Sequence, residues 1–345
     1  MKVCVFLPNW VGDVVMATPA LRALRAHLGA DATVVGLVRP YVAEVLEGTT
    51  LLDRVWPHDP AVARTPRGLL VAARTLRRAR FDVALLLPNS FHVALVAWLA
   101  GIPERVGYAR YRRGPLLTTR LEPLRTDAGY LPTPQVGSYL RLVSALGCPE
   151  AGWRLELATT PHDEAQVDRA WNALGLRPDA RVIAVNPGGA FGTAKLWPDE
   201  HFATLARRMA SELDHDVLVL CGPEERERAA AIARLAANPR VTSLADEPPS
   251  IGLTKACVRR SRLLVTTDSG VRHFGAAFGI PVVALFGPTH IAWSDTRYAK
   301  ERKLQIPLDC GPCQQPVCPV QHHRCMRDLD PGVVYRAVVD LLGEA

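Results

Sequence analysis

The chain has 345 residues, 48% hydrophobic and 22% charged, a composition that excludes a disordered protein and leaves room for two domains with sizeable cores. A formal charge of +7 and a pI near 9.1 call for an anionic partner: nucleic acid, an acidic membrane surface or a phosphorylated substrate. No helix-turn-helix pattern, RNA-binding aromatic set or long basic tail is present, which sets nucleic acid aside. The most apolar window, 93–102, is far shorter than the roughly 20 residues of a membrane-spanning helix. The apolar run after Lys2 stops at Pro8-Asn9, too soon for a signal peptide. A cytoplasmic location is expected, with the eight cysteines reduced.

In chain order, residues 2–7 read as a buried strand ending in Pro8-Asn-Trp-Val-Gly-Asp13. A helical pattern follows, with Leu21, Leu24 and Leu28 on one face. Strand, loop, helix opens a doubly wound sheet. Asp13 stands at the mouth of that loop, a position that suits a helix cap or a ligand group. Strands near 33–38, 52–55 and 83–87 come next, with a basic amphipathic helix over 68–80. The strand at 83–87 leads into Leu87-Pro-Asn-Ser90 and an apolar helix closed by Gly101, so Asn89 and Ser90 share the sheet edge of Asp13. Residues 107–119 have little periodicity and combine Tyr108, Arg110, Tyr111, Arg112 and Arg113. Such a loop holds phosphates by bidentate guanidinium contacts or lies exposed as a basic loop. Helices are expected over 134–146 and 160–174. The segment 175–179 is the expected hinge between a domain at 1–175 and one at 180–330, before a C-terminal helix from 331.

The βα rhythm then restarts. A strand at 182–185 precedes Asn186-Pro-Gly-Gly-Ala-Phe-Gly-Thr-Ala-Lys-Leu-Trp-Pro198, where three glycines with Thr193 and Lys195 form a candidate diphosphate cradle. It is not a Walker A loop, because the spacing and the Lys-Ser/Thr ending are absent. The strand at 217–220 ends in Gly222-Pro-Glu224, where a carboxylate suits ribose hydroxyls or the first turn of a helix. Residues 263–286 read as one βαβ unit. Its turn puts Asp268 at a strand end, Ser269 and Gly270 at a helix start whose unpaired N–H groups favour an anion, and His273 one turn along. A plain capped helix is the competing reading. The tail carries Cys310-x2-Cys313-x4-Cys318-x6-Cys325, four thiols that suit a tetrahedral zinc or stay reduced in an irregular loop.

Taken together, Pro8-x-Trp-Val-Gly-Asp13, Leu87-Pro-Asn-Ser90-Phe, Ala100-Gly-Ile-Pro-x-Arg-x-Gly107, Pro187-Gly-x-x-Phe-Gly-x-Ala-Lys-x-Trp-Pro198 and Asp268-Ser-Gly-x-x-His273 closely resemble the ADP-heptose:lipopolysaccharide heptosyltransferases, heptosyltransferase II more than heptosyltransferase I. The resemblance spans both halves, to about Pro288. It implies an α/β GT-B fold: two Rossmann-like doubly wound domains facing across a cleft, acceptor on the N-terminal half and nucleotide sugar on the C-terminal half. It implies metal-independent, inverting transfer of L-glycero-D-manno-heptose from ADP-heptose to the heptose/Kdo inner core of lipopolysaccharide, by an enzyme peripheral to the inner leaflet. Carried over by position, it makes Asp13 the general base and brings Thr193 and Lys195 to the donor diphosphate and sugar. Asp268, Ser269, Gly270 and His273 then line the donor site, and Glu224 reaches the ribose. Asn89, Ser90, Arg110, Arg112 and Arg113 are the candidate acceptor contacts. No cofactor is required for catalysis on this reading, and a structural zinc stays open at the cysteine tail, where the chain departs from the family pattern. Two alternatives are kept. Another GT-B enzyme, such as a UDP-sugar transferase or an epimerase, is separated by ADP versus UDP binding. A non-catalytic nucleotide-binding protein would bind nucleotide without turnover.

Overall fold

In the computed structural model, which describes residues 1–59, 65–126, 129–176 and 181–344, the apolar runs become two parallel six-stranded sheets, each in its own compact unit. The N-terminal unit comprises Met1–Glu156 with Ala292–Thr296. Its strands are β1 (Lys2–Phe6), β2 (Thr33–Val38), β3 (Arg54–Pro57), β4 (Val83–Leu86), β5 (Glu104–Tyr108) and β6 (Thr119–Leu121), in the order β3-β2-β1-β4-β5-β6. A short antiparallel pair, β7 (Arg125–Thr126) and β8 (Gly129–Tyr130), follows. Phe6, Leu37, Leu86, Val96 and Leu117 belong to one buried cluster, as expected where helices cover both faces of a parallel sheet. The strand order reverses between β1 and β4. The loops leaving their carboxyl ends, 7–10 and 87–90, therefore border the crevice where doubly wound sheets take ligands.

The C-terminal unit, Leu157–Ile291 with Arg297–Ala345, repeats the winding. Strands β9 (Val182–Asn186), β10 (Asp216–Val219), β11 (Val241–Ser243), β12 (Leu263–Thr267), β13 (Val282–Phe286) and β14 (Glu301–Gln305) run in the order β11-β10-β9-β12-β13-β14. Its reversal lies between β9 and β12, where Val185 is in register with Val265 and Asn186 with Thr266. The two Gly-containing loops therefore leave adjacent strands.

The sequence does not announce β5, β6, β11 or β14. Residues 107–119, expected as loop, begin in β5 and end in β6. β14 reads Glu-Arg-Lys-Leu-Gln and lies at a sheet edge, where charged side chains guard against pairing with another chain. The division between units falls at Glu156/Leu157, ahead of the expected hinge, of which residues 177–179 lie outside the described residues. Side-chain chemistry explains why the helix Pro161–Ala173 goes with the C-terminal unit. A Thr160/Asp163 capping box starts it, and Arg260 on the helix Ile251–Arg260 reaches Glu164 at 2.6 Å and Asp168 at 2.7 Å. Fully buried Lys255, on that same helix, donates to the Ala158 carbonyl at 3.0 Å and lies 3.6 Å from Asp163.

The helix Arg272–Phe278 sits so close to its sheet that a Cβ added at Gly275 would lie 2.4 Å from Val282 Cγ2. Gly275→Ala is expected to cost about 1–3 kcal/mol by overpacking. Urea unfolding should show a lower midpoint at unchanged m-value.

Candidate active site

The switch point of the second sheet is tied together by side chains. Asn186, buried at the end of β9, donates through Nδ2 to Thr266 Oγ1 at 3.0 Å and to Ser269 Oγ at 2.9 Å. Thr267 Oγ1 donates to the Gly188 carbonyl at 2.5 Å. Glu225, from the turn after β10, accepts the N–H groups of Gly189 at 3.0 Å and Gly222 at 2.9 Å. A Cβ at Gly188 would fall 1.9 Å from Glu225 Oε1, so any side chain there would displace the Glu225 carboxylate from the glycine loop. The sequence reading chose Glu224, which is exposed on the same turn, while the carboxylate that reaches the glycine loop belongs to its neighbour. Two consecutive glutamates give no sequence signal as to which one turns inward.

Lys195 is buried in the short turn Thr193–Lys195, with Thr193 itself exposed. Its Nζ donates to Asp268 Oδ2 at 2.6 Å and to the Asp268 carbonyl at 2.8 Å. Thr289 Oγ1 donates to the same carboxylate at 2.7 Å, and Arg272 lies 3.5 Å from its other oxygen while pairing with Glu301. Burial pushes the Asp268 carboxyl up, but the charges of Lys195 and Arg272 and the hydrogen bonds outweigh it and hold the group below the usual aspartate value. His273 is buried against this cluster and its Nδ1 finds no hydrogen-bond partner among the described residues. Burial first, then the Arg272 charge, pushes its imidazole down to about 3, so it is neutral at physiological pH.

Ser269 and Gly270 are half-buried in a turn and not at a helix start. β12 runs on to Thr267, the helix begins only at Arg272 after Val271, and the Ser269 hydroxyl is engaged with Asn186 and Thr266 instead of capping. The expected anion site at a helix N-terminus is therefore replaced by a turn. The cysteine segment packs onto the glycine loop: Ala194 N–H donates to the Pro316 carbonyl at 3.0 Å. Gly192, at φ +147°, would place a Cβ 2.3 Å from the same oxygen. Cys310, Cys313, Cys318 and Cys325 are free thiols, and Cys310 Sγ lies 3.8 Å from His322 Nε2. Burial, then the neighbouring Cys318, Cys313 and Cys310, raises the Cys325 thiol. Among the described residues no group of three or more His, Cys, Asp or Glu side chains is disposed to hold a metal.

In the N-terminal unit Asp13 is the third residue of the helix Val11–Met16, whose cap is Trp10, so it is not the cap that its loop position allowed. It is half-buried, and its charge lies close enough to Tyr139 to raise that phenol beyond what burial alone does. Arg113, expected as a phosphate contact, is fully buried and spent on the fold. It donates to the Tyr108 carbonyl at 2.8 Å, Asn89 Oδ1 at 3.0 Å, the Ser90 carbonyl at 3.3 Å and the Pro88 carbonyl. Burial, then the Arg110 charge, brings it down to about 10. Arg112 is exposed in a left-handed turn at φ +60°. Arg110 lies 3.8 Å from the Tyr130 ring centre and lines a pocket with Asn89, Tyr108, Gln135, Ser138 and Arg141. Arg141 was missed because it sits on a helix face whose sequence shows only ordinary amphipathicity.

Two doubly wound sheets, one carrying a cationic glycine loop and the other an aspartate with an arginine-lined pocket, define the GT-B class of sugar-nucleotide enzymes. Residues 70–323 match the profile of glycosyltransferase family 9 (heptosyltransferase), and the chain belongs to that family. It is 28% identical over 364 residues to lipopolysaccharide heptosyltransferase 2 of Escherichia coli K12, covering 99% of each chain. It is 27% identical over 348 residues to lipooligosaccharide heptosyltransferase 2 of Campylobacter jejuni, covering 99% of this chain and 98% of that one. The solved structure of E. coli ADP-heptose lps heptosyltransferase II superposes with a TM-score of 0.79 at 25% identity, covering 100% of this chain and 99% of that one. The protein is thus a glycosyltransferase, and no described helix is long and apolar enough to cross a membrane.

His273 makes stability depend on pH. An unfolded histidine titrates near ~6.5, whereas the folded one, beside Arg272, Asp268, Lys195 and Lys303, binds a proton only at about 3. Its contribution is complete above the unfolded value and is lost as pH falls from there toward the folded one, with a slope of up to ~1.4 kcal/mol per pH unit. Urea unfolding of His273→Gln at pH 7 and pH 4.5 should show a smaller loss on acidification than the parent.

Proposed function

We propose that the enzyme transfers L-glycero-D-manno-heptose from ADP-heptose to the inner core of lipopolysaccharide, with inversion and without a divalent cation. The observation that carries this reading is the buried Lys195–Asp268 pair, set between two loops of small residues at the switch point of the second sheet. Lys195 and the backbone N–H groups of 190–193 and 269–270 supply fixed positive charge for a diphosphate, the group that must leave with the electron pair of the glycosidic bond. Asp268, kept ionised by Lys195 and Arg272, serves the sugar side. Glu225 shapes the glycine loop and takes the ribose role that the sequence assigned to Glu224. His273, neutral and buried, supports the loop from beneath.

Asp13 accepts the proton of the attacking acceptor hydroxyl. An alcohol is a poor nucleophile at neutral pH, and a single displacement needs a base to take its proton as the new bond forms. Acceptor binding belongs to the N-terminal unit, with Arg113 and Asn89 shaping its loop and Arg110 and Arg112 free of that task. The basic surface suits an enzyme working on an anionic lipid at the inner leaflet. A structural zinc at Cys310, Cys313, Cys318 and Cys325 is proposed on their spacing and their mutual effect on Cys325, and requires the side chains to turn toward one another. One zinc per purified chain supports it, and metal-free protein with four titratable thiols removes it.

With ADP-heptose and a lipopolysaccharide core acceptor, mass spectrometry should show the acceptor gaining one heptose. Asp13→Asn should lower kcat by roughly 10²- to 10⁴-fold, with ADP affinity and unfolding midpoint unchanged. Parent-level turnover in that variant would place the base elsewhere.

A further inference from the structure

The outer surface of the N-terminal unit carries a basic and apolar face built from two helices. In the helix Pro66–Ala79, Leu76 lies in the buried cluster and Leu69, Ala72 and Ala79 pack against it, which fixes the side that turns to solvent. Arg67, Leu70, Val71, Arg74 and Arg78 recur at helical spacing on that outer side, and all five are exposed. The helix has no acidic residue, so no partner one turn away neutralises the row. The helix Phe91–Leu99 packs beside it, with Val93, Ala94, Val96 and Ala97 in the same cluster. Phe91, Leu95 and Trp98 lie on its opposite side, and Phe91 and Trp98 are 46% and 48% exposed. Arg77 Nη2 donates to the Leu99 carbonyl at 2.6 Å, which joins the two helices at the Trp98 end.

Arginines along a helix are ordinarily a solvated face, and single exposed apolar residues are common on any surface. Here the residues between the arginines are Leu70 and Val71, 49% and 55% exposed, and the neighbouring helix adds two large aromatic rings. Guanidinium groups beside exposed aliphatic and aromatic side chains match a bilayer surface: the bases meet anionic headgroups while the apolar groups enter the headgroup boundary. Tryptophan favours that depth. The helix Phe91–Leu99 starts directly after Ser90, so the face begins at the crevice edge where the acceptor is proposed to bind. We propose that this face docks the enzyme on an anionic lipid bilayer, with Arg67, Arg74 and Arg78 on the headgroups and Leu70, Val71 and Trp98 inserted among them. A lipid-borne acceptor then reaches the crevice along the same surface that holds the enzyme.

The inference deepens the acceptor reading of the proposed function, and vesicle flotation tests it without any transfer reaction. The parent should float with phosphatidylcholine vesicles that contain phosphatidylglycerol, but not with phosphatidylcholine alone, and added salt should release it. Arg74→Gln combined with Arg78→Gln should lower the partition coefficient roughly tenfold. Leu70→Gln combined with Trp98→Gln should lower it by about the same factor. Both variants should keep the parent's unfolding midpoint, because every replaced side chain is exposed. On delipidated core oligosaccharide they should keep kcat and KM within about twofold, while KM for vesicle-embedded acceptor rises. Flotation that is absent, equal on both lipids, or unaffected by either pair of substitutions would overturn the proposal while leaving heptosyl transfer standing. A dimer in sedimentation that the same substitutions dissolve, without flotation, would assign the face to a second copy of the chain and overturn it too. If the parent floats as described but transfers no heptose, the proposed function falls and the docking face stands.

Discussion

The C-terminal unit is built around a contact that is expensive to make, the ion pair between Lys195 and Asp268, both buried. Taking two charges out of water costs several kcal/mol each, so the pair survives only with support. Thr289 and the Asp268 carbonyl complete its hydrogen bonding, and Arg272, itself neutralised by Glu301, adds a second positive charge. The pair bridges a loop leaving β9 and a turn leaving β12, strands that are neighbours because the sheet reverses its winding there. Asn186, Thr266, Thr267 and Ser269 make the same bridge with neutral groups. The loops are consequently set before any ligand arrives, which is what electrostatic catalysis asks of a site.

The glycines follow from that crowding. Gly188 yields its side-chain space to Glu225, and Gly192 yields to the Pro316 carbonyl. Through Pro316 the cysteine segment becomes part of the wall of the glycine loop and not an appendage to it. The N-terminal unit solves a different problem with the same winding. Arg113 locks the 88–90 loop from within, leaving Arg110 and Arg141 to line a pocket beside tyrosines.

Much of this was legible in the sequence where burial dictates residue type. β1, β2, β4, β9, β12 and β13 lie inside the sheets, so they read as continuous apolar runs. The charged edge strand β14 and the half-charged β5 did not, because pairing with a neighbour and not composition makes them strands. Lys195 and Asp268 stand out in the sequence as polar groups in two Gly-containing loops, but their ion pair does not, since it depends on strand order. The inward turn of Glu225 in place of Glu224, the burial of Arg113 and the exposure of Arg141 are decided by side-chain direction, which no spacing rule reports. The start of the helix at Arg272 was misplaced because Asp268 and Ser269 make good caps in general, while here both side chains are committed to the opposite strand end.

The central claim is that Lys195 and Asp268 act as one unit in holding the donor nucleotide. A double-mutant cycle on ADP binding, read by calorimetry with Lys195→Met, Asp268→Asn and the double variant, tests it most directly. The account predicts that each single substitution weakens ADP and that the double is little worse than the worse single. Losses that add to within about 0.5 kcal/mol, as for independent sites, would contradict it.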